Sequence, residues 1–387
     1  MPVNTPRLSR REFAWGGLAT AFTIRSAFAA GTVNPTRVLL GTTGKVSKGI
    51  YTADWNPATG ELGSITLAAT LVSPSFLATR RVGSLTRIYA VSEDGKDGSG
   101  VNALETVPGS RELRVLNKVS SVGSGPTHLS LSPDGHSVFI ANYGGGSIAS
   151  YHVKPDGSLS EAVSHLQYEG SGPDPSRQTK SHAHSAQVSP DGRFLLVNDL
   201  GLDRICIYRI DAATAALTPN DPPVWQAKPA SGPRHISFHP NGKWLYSVNE
   251  LDSTVDILAW DAARGHITPI DRVSTLKPDF PPHTAFAGEI LASADGRNVY
   301  VGNRIADQTI AVFDIDRASG KLKLKQLAPN GGKTTRHIAL DRTGKWMIAS
   351  NQDSGEVVVL QRNPATGELS APVHRYPLDT PMFATWI

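Results

Sequence analysis

The chain has 387 residues, of which 39% are hydrophobic and 19% charged, so it can bury a large core and fits neither a disordered nor a collagen-like composition. The formal net charge is +4, yet residues 1–30 hold four arginines (Arg7, Arg10, Arg11, Arg25) against Glu12 alone. The rest is therefore close to neutral, which excludes the basic footprint of a nucleic-acid or anionic-membrane binder.

The first thirty residues read as an export signal. Ser9-Arg10-Arg11-Glu12-Phe13 precedes an uncharged stretch at 14–24 containing Gly16 and Gly17, and Ala27-Phe28-Ala29 supplies a small-x-small cleavage pattern. Adjacent arginines before a mildly apolar run resemble the twin-arginine signal of bacteria. The run is too short to span a bilayer and Arg25 interrupts it. The expected organisation is a twin-arginine-type signal peptide at 1–30 and a mature domain at 31–387. Its partner in transit is the twin-arginine export machinery, and the mature protein, with no membrane insertion, is expected in the periplasm or secreted. Cys206, the only cysteine, lies in an apolar run and is expected in the core.

Residues 37–70 then give three strands, RVLLGTT, GIYTADWN and GSITLAAT, and residues 74–120 give four. From there one phrase repeats five times: an apolar strand, a Ser-Pro-Asp-Gly-like turn, a second apolar strand and a polar end. It reads LSLSPDGHSVFIANY at 129–143, AQVSPDGRFLLVND at 186–199 and ISFHPNGKWLYSVNE at 236–250, and it returns eroded at 290–304 and 338–352. The turn glycines Gly135, Gly192, Gly242, Gly296 and Gly344 are 57, 50, 54 and 48 residues apart. A period near 50 built from short strands marks a β-propeller, each repeat being one blade. The unit at 37–70 lacks its innermost strand, and Pro381-Met382-Phe383-Ala384-Thr385-Trp386 resembles Pro74-Ser75-Phe76-Leu77-Ala78-Thr79. The predicted fold is all-β: a seven-bladed propeller with four antiparallel strands per blade, its ring closed by the C-terminal strand.

In a propeller the innermost strands line the central channel, so alignment on the turn glycine reads as geometry. Eight residues before it stand Thr127, His184, Arg234, Gly288 and Arg336; eight after it stand Tyr143, Leu200, Glu250, Arg304 and Gln352. Glu93 ends its strand (YAVSE) as Glu250 ends its own (YSVNE). One rim should thus gather His184, Arg234, Glu250, Arg304, Arg336 and Glu93. Repeated residues are expected to be structural: His128, His235 and His337, with Glu289 in the same slot, as blade-to-blade hydrogen bonds, and Asn142, Asn249, Asn303 and Asn351 as ties at strand exits. Gly144-Gly145-Gly146 lacks the Lys-Ser/Thr of a phosphate loop and reads as a turn. His182-Ala183-His184 has no suitably spaced third ligand, so neither a metal nor another cofactor is expected.

GPRHISFHPNGKWLYSVNELDSTV, SHAHSAQVSPDGRFLLVNDLGLDRI and ANYGGGSIASY closely resemble the lactonase-type seven-bladed propellers, the family of the bacterial propeller-type 6-phosphogluconolactonase and the fungal carboxy-muconate lactonizing enzyme. The resemblance covers 37–387. It implies a catalytic His184, Arg234, Glu250 and Arg304; beside them, His182, Tyr143, Arg336, Glu93 and Asn303 are expected to bind the substrate. The activity it implies is hydrolysis of a sugar lactone or related cyclic ester, the partner being a small, optionally anionic lactone. Glu250 or His184 would be the base, and Arg234 and Arg304 would hold the oxyanion. The blade at 74–120 departs from the pattern in its first turn, and the export signal departs from a cytosolic pentose-phosphate role. A muconate-type cycloisomerase on the same residues and a non-catalytic ligand- or partner-binding propeller are the alternatives.

Overall fold

The computed structural model describes Met1 and residues 37–387, apart from 45, 95–98 and 282. The signal-peptide expectation falls at 1–30 and so lies outside the described residues. Residues 37–387 lie within one compact unit. No helix among the described residues is long and apolar enough to cross a membrane.

The repeated turn makes the blade. In the first full copy, Ser132 Oγ donates to Asp134 Oδ1 (2.5 Å) and accepts from Ser137 N (2.9 Å), while Gly135 N donates to Ser132 O (2.8 Å). Gly135 has φ +76°, a conformation that glycine adopts without a steric penalty. Ser189–Asp191 and Ser293–Asp295 repeat the arrangement, each at 2.6 Å. The departing blade closes its first hairpin differently, with a two-residue Gly83-Ser84 turn between Val82 and Leu85.

Seven antiparallel sheets result. Blades 2 to 7 occupy 77–120, 126–167, 183–226, 233–274, 285–329 and 335–377, each with four consecutive strands. Blade 1 takes Arg37–Thr42, Gly49–Asn56 and Thr66–Thr70 from the N-terminal side and Pro381–Trp386 from the C-terminus, with a short extra pairing at Glu61–Leu62. Leu39 faces Thr385 and Leu40 faces Ala384 in that closing pair. The predicted closure is what the chain forms.

Burial follows from this stacking. The second strand of each repeat is covered on both faces: Ser137–Asn142, Phe194–Asp199 and Trp346–Asn351 are buried at every position. The outermost strands alternate, as Leu159–Gln167 does, because one side meets solvent. The seven apolar clusters each join two neighbouring blades; Val38, Leu40 and Trp386 of blade 1, for instance, pack on Trp346, Ile348 and Val357 of blade 7. A single blade therefore buries neither face alone. Cys206 lies in the cluster between blades 3 and 4, as expected.

Candidate active site at the channel rim

Adjacent residues of an ideal strand point to opposite faces, so neighbours in sequence should not both reach the channel. Here they do, because the innermost strands bulge. In blade 5 Pro233 pairs with Asn249 and His235 with Val248, which leaves Arg234 as the extra residue. Blade 4 skips His184 in the same way, blade 7 skips Arg336, blade 3 skips Thr127 and blade 1 skips Met382. A bulge kinks the strand and re-aims the unpaired side chain. Two stacked rings of side chains then line the channel instead of one.

The upper ring converges on one carboxylate. Glu250 Oε2 lies 3.1 Å from Arg234 Nε, 2.9 Å from Arg304 Nη2 and 3.7 Å from His184 Nε2. All four side chains are buried. Arg304 also donates to Ala287 O (3.0 Å), which fixes its guanidinium from below. Burial alone would raise the pKa of Glu250, but Arg304, Arg234 and a third arginine, Arg177, outweigh it and hold the carboxyl far below its usual range. Burial, followed by the charge of Arg234, pushes His184 well below the usual imidazole value, so it is neutral at physiological pH. Burial and the neighbouring Arg304 and Arg336 push Arg234 down to about 9, which still leaves it charged.

The profile of the family "Lactonase, 7-bladed beta-propeller" matches residues 37–386, and so takes in the whole ring and its rim. The chain belongs to this family. A Bacillus subtilis protein named 6-phosphogluconolactonase is 33% identical over 324 residues, 84% of this chain and 90% of that one. A Formosa agariphila protein of the same name is 27% identical over 328 residues, covering 84% and 91%. The solved periplasmic gluconolactonase of Pseudomonas aeruginosa superposes with a TM-score of 0.85 at 28% identity, covering 91% of this chain and 98% of that one.

Within this lactonase propeller, Arg177 is the residue that alignment on the turn glycine misses. It sits on the connection between blades 3 and 4, residues 168–182, the longest link between blades. Its Nη2 lies 2.6 Å from Glu250 Oε1 and 3.3 Å from Tyr143 Oη, and its guanidinium stacks over Phe286 at 5.3 Å. Asp174 Oδ1 holds the turn by accepting from Ser176 N and Arg177 N, and Gln178 ties it to Leu200 O and Asp203 (2.8 Å each). The signal in the sequence was the length and Asp-Pro-Ser turn of an insertion outside the repeat. Arg177 is also the most exposed guanidinium on Glu250, at 30% against 3% and 5% for Arg234 and Arg304.

The remaining expected residues divide. Tyr143 stacks on His182 (centroids 4.4 Å apart) and meets His184 edge-on (5.2 Å), while His182 Nδ1 is 2.9 Å from Tyr143 O; this pair forms one wall. Glu93 and Arg336 line a void of about 10 Å³ on the channel axis, together with His184, Arg234, His235 and Thr127. Asn303 does not join them. Its amide donates to Thr275 O (2.9 Å) and Thr309 Oγ1 (3.1 Å) and its oxygen accepts from Thr275 Oγ1 (2.7 Å), so its bonding capacity is spent on tying blade 6 to its neighbouring connection. Asn142, with Ser121 O and Ser147 Oγ at 3.0 Å each, does the same in blade 3. The repeated slot one residue inside the rim links the blades: Ala186 N donates to His128 Nδ1 (3.3 Å), Ala384 N to His337 Nδ1 (3.4 Å), and His235 Nδ1 meets Glu289 at 3.0 Å, each joining one blade to the next.

Proposed function

We propose that the protein hydrolyses a sugar lactone carrying an anionic substituent, with the rim cluster as its active site. The observation that carries this reading is a buried carboxylate clasped by three guanidinium groups beside a neutral imidazole. The lactonases among its relatives favour hydrolysis over cycloisomerisation or mere binding. Four guanidinium groups (Arg177, Arg234, Arg304, Arg336) stand against two carboxylates, Glu250 and Glu93. That excess favours an anionic ligand, and guanidinium forks suit both carboxylate and phosphate.

His184 is the general base of this reading and Glu250 is not. Glu250 is engaged as the counter-ion of three guanidinium groups, whereas the neutral imidazole of His184 has an Nδ1 with no partner in the protein and so a ring nitrogen open to a proton. His184 takes a proton from water as it attacks the lactone carbonyl, and Arg234 and Arg304 receive the charge that develops on oxygen. The ring C–O bond then breaks, and His184 returns the proton to the leaving alkoxide. Glu250 fixes the guanidinium groups in the plane where the oxyanion forms. Replacing Arg234 by Ala should lower kcat/KM about a hundredfold or more, the usual cost of one oxyanion donor. A pH-indicator assay of residues 31–387 on phosphorylated, carboxylated and neutral lactones tests the reading. Equal rates for wild type and the Arg234→Ala and His184→Gln variants would remove the site assignment.

The reading includes export by the twin-arginine route. The Arg10-Arg11 signal pattern and the periplasmic relative from Pseudomonas aeruginosa support it. Fractionation of cells expressing the full chain tests it, since Arg10→Lys with Arg11→Lys should retain the protein inside.

A further inference from the structure

Hydrolysis of a lactone at neutral pH releases one net proton per turnover, because the new carboxylic acid ionises. A substrate seated on the rim covers the upper mouth of the channel, so that proton needs another way out. Two cavities lie on the axis, and one residue joins them. The upper one is the void of about 10 Å³ beside His184, close to the volume a single water requires. Residues that line it leave buried polar atoms without a partner in the protein: His184 Nδ1, Arg234 Nη1, Glu93 Oε2, Arg336 Nε and His235 Nε2. Donors and acceptors are both represented, as one shared water would need. The lower cavity holds about 530 Å³ and opens at the turn end of the innermost strands, with Glu289, His128 and His337 among the residues lining it.

His235 connects the two. Its Nε2 belongs to the upper set, while its Nδ1 lies 3.0 Å from both oxygens of Glu289, which lines the lower cavity. We propose that His235 and Glu289 form a proton exit, carrying the proton released at the rim to the solvent-open lower mouth. This rests on the lactonase reading above. His235 accepts a proton at Nε2 from water in the upper void and passes the proton on Nδ1 to Glu289, whose carboxyl releases it into the lower cavity. Exchange with solvent then resets the imidazole tautomer. No bond to substrate is made or broken in these steps, and the net outcome is one proton moved. The groups that face Glu289 suit proton relay. Those in contact are His235 at 3.0 Å, His337 at 3.8 Å and its own neighbour Ile290 N at 3.0 Å, while His128 and the Arg234 guanidinium feel its charge at longer range. Burial, joined at His235 by the charge of Arg234, keeps both imidazoles neutral, so a proton passes through His235 without resting on it.

Glu289→Gln keeps the shape and can still accept from His235, but it cannot take up a proton. In weakly buffered solution its kcat should fall about a hundredfold or more with KM unchanged, the scale of a lost proton-transfer group. Added imidazole buffer, entering through the lower cavity, should restore the rate. Glu289→Ala, with added formate in the vacated space, provides the same comparison should the glutamine variant fold poorly. A purely structural Glu289 would lower stability without any rescue by buffer. Wild-type kcat in Glu289→Gln at low buffer, or a loss in both variants that neither buffer nor formate repairs, overturns the proton exit while leaving the lactonase reading standing. A wild-type protein that turns over no lactone overturns both.

Discussion

The two rings of the channel are neighbours in sequence and opposites in chemistry. The upper ring places Thr127, His184, Arg234 and Arg336 on separate blades, all different in role, and draws in Glu250, Arg304 and Arg177 from strand ends and a connection. The ring beneath repeats itself, with His128, His235 and His337 beside Phe76 and Phe383 in close ring contacts of 4.1 to 5.9 Å. Each ring also holds one buried carboxylate. Glu250 is matched with guanidinium groups and is locked as an anion; Glu289 is matched with neutral imidazoles. Repetition down a propeller therefore marks what every blade junction needs, and departure from it marks what a ligand needs.

Four changes would break or sharpen that contrast. Both rings depend on closure, so deleting 381–387 removes Phe383 and Met382 from them and strips blade 1 of its innermost strand. The apolar cluster between blades 7 and 1 is opened by the same cut. The expected outcome is loss of cooperative unfolding altogether, read by circular dichroism melting; a normal melt would show that six full blades and a three-stranded blade 1 suffice.

Glu250→Gln should come next. It leaves the buried Arg234 and Arg304 and the partly exposed Arg177 without their counter-charge, at a cost of about 3–5 kcal/mol in chemical denaturation. Because the folded-state pKa of Glu250 is depressed, its contribution is complete above the unfolded value of about 4.3 and is lost as pH falls below it. The gap between wild type and variant should thus narrow in acid, and a gap that holds constant down to pH 3 would argue against the clasp.

The lower ring should respond to pH in a different window. His337 is lowered to about 4 by burial, despite the opposing charge of Glu289, and His128 and His235 are lowered as well. The unfolded chain takes up protons below about pH 6.5 that the folded imidazoles refuse, so stability falls as pH drops from there, by up to about 1.4 kcal/mol per pH unit for each such group. His337→Phe, using the side chain that blades 1 and 2 already place in this ring, should flatten the fall between pH 6.5 and 4. An unchanged slope in that range would mean His337 titrates normally. The smallest effect belongs to Asn303→Ala, which should cost about 1–3 kcal/mol of stability for its unpaired partners and leave KM for the lactone unchanged. A raised KM would return Asn303 to the substrate-binding set.

Most of the architecture was legible in the chain itself. The turn formula carries its own hydrogen bonds and its positive-φ glycine, so five blades announce themselves locally, and the likeness of 381–386 to 74–79 fixed the closure. His184, Arg234, Glu250 and Arg304 could be brought together by counting from a glycine because a propeller converts equal offsets into equal heights. The count also read Asn303 as a strand-exit tie, and its bonds within the blade and to Thr275 fit that reading better than its expected place among the substrate-binding residues.

What the chain determined alone is everything that repeats: strand, turn, period, and the rim on which unlike charges fall. Two things required the folded ring. The one-residue bulges at Thr127, His184, Arg234, Arg336 and Met382 follow from pairing with a partner strand, and strict alternation would have sent half of the channel residues the other way. Arg177 reaches Glu250 across 73 positions from a connection that obeys no period, so only the packed arrangement of blades 3 to 6 could bring it there.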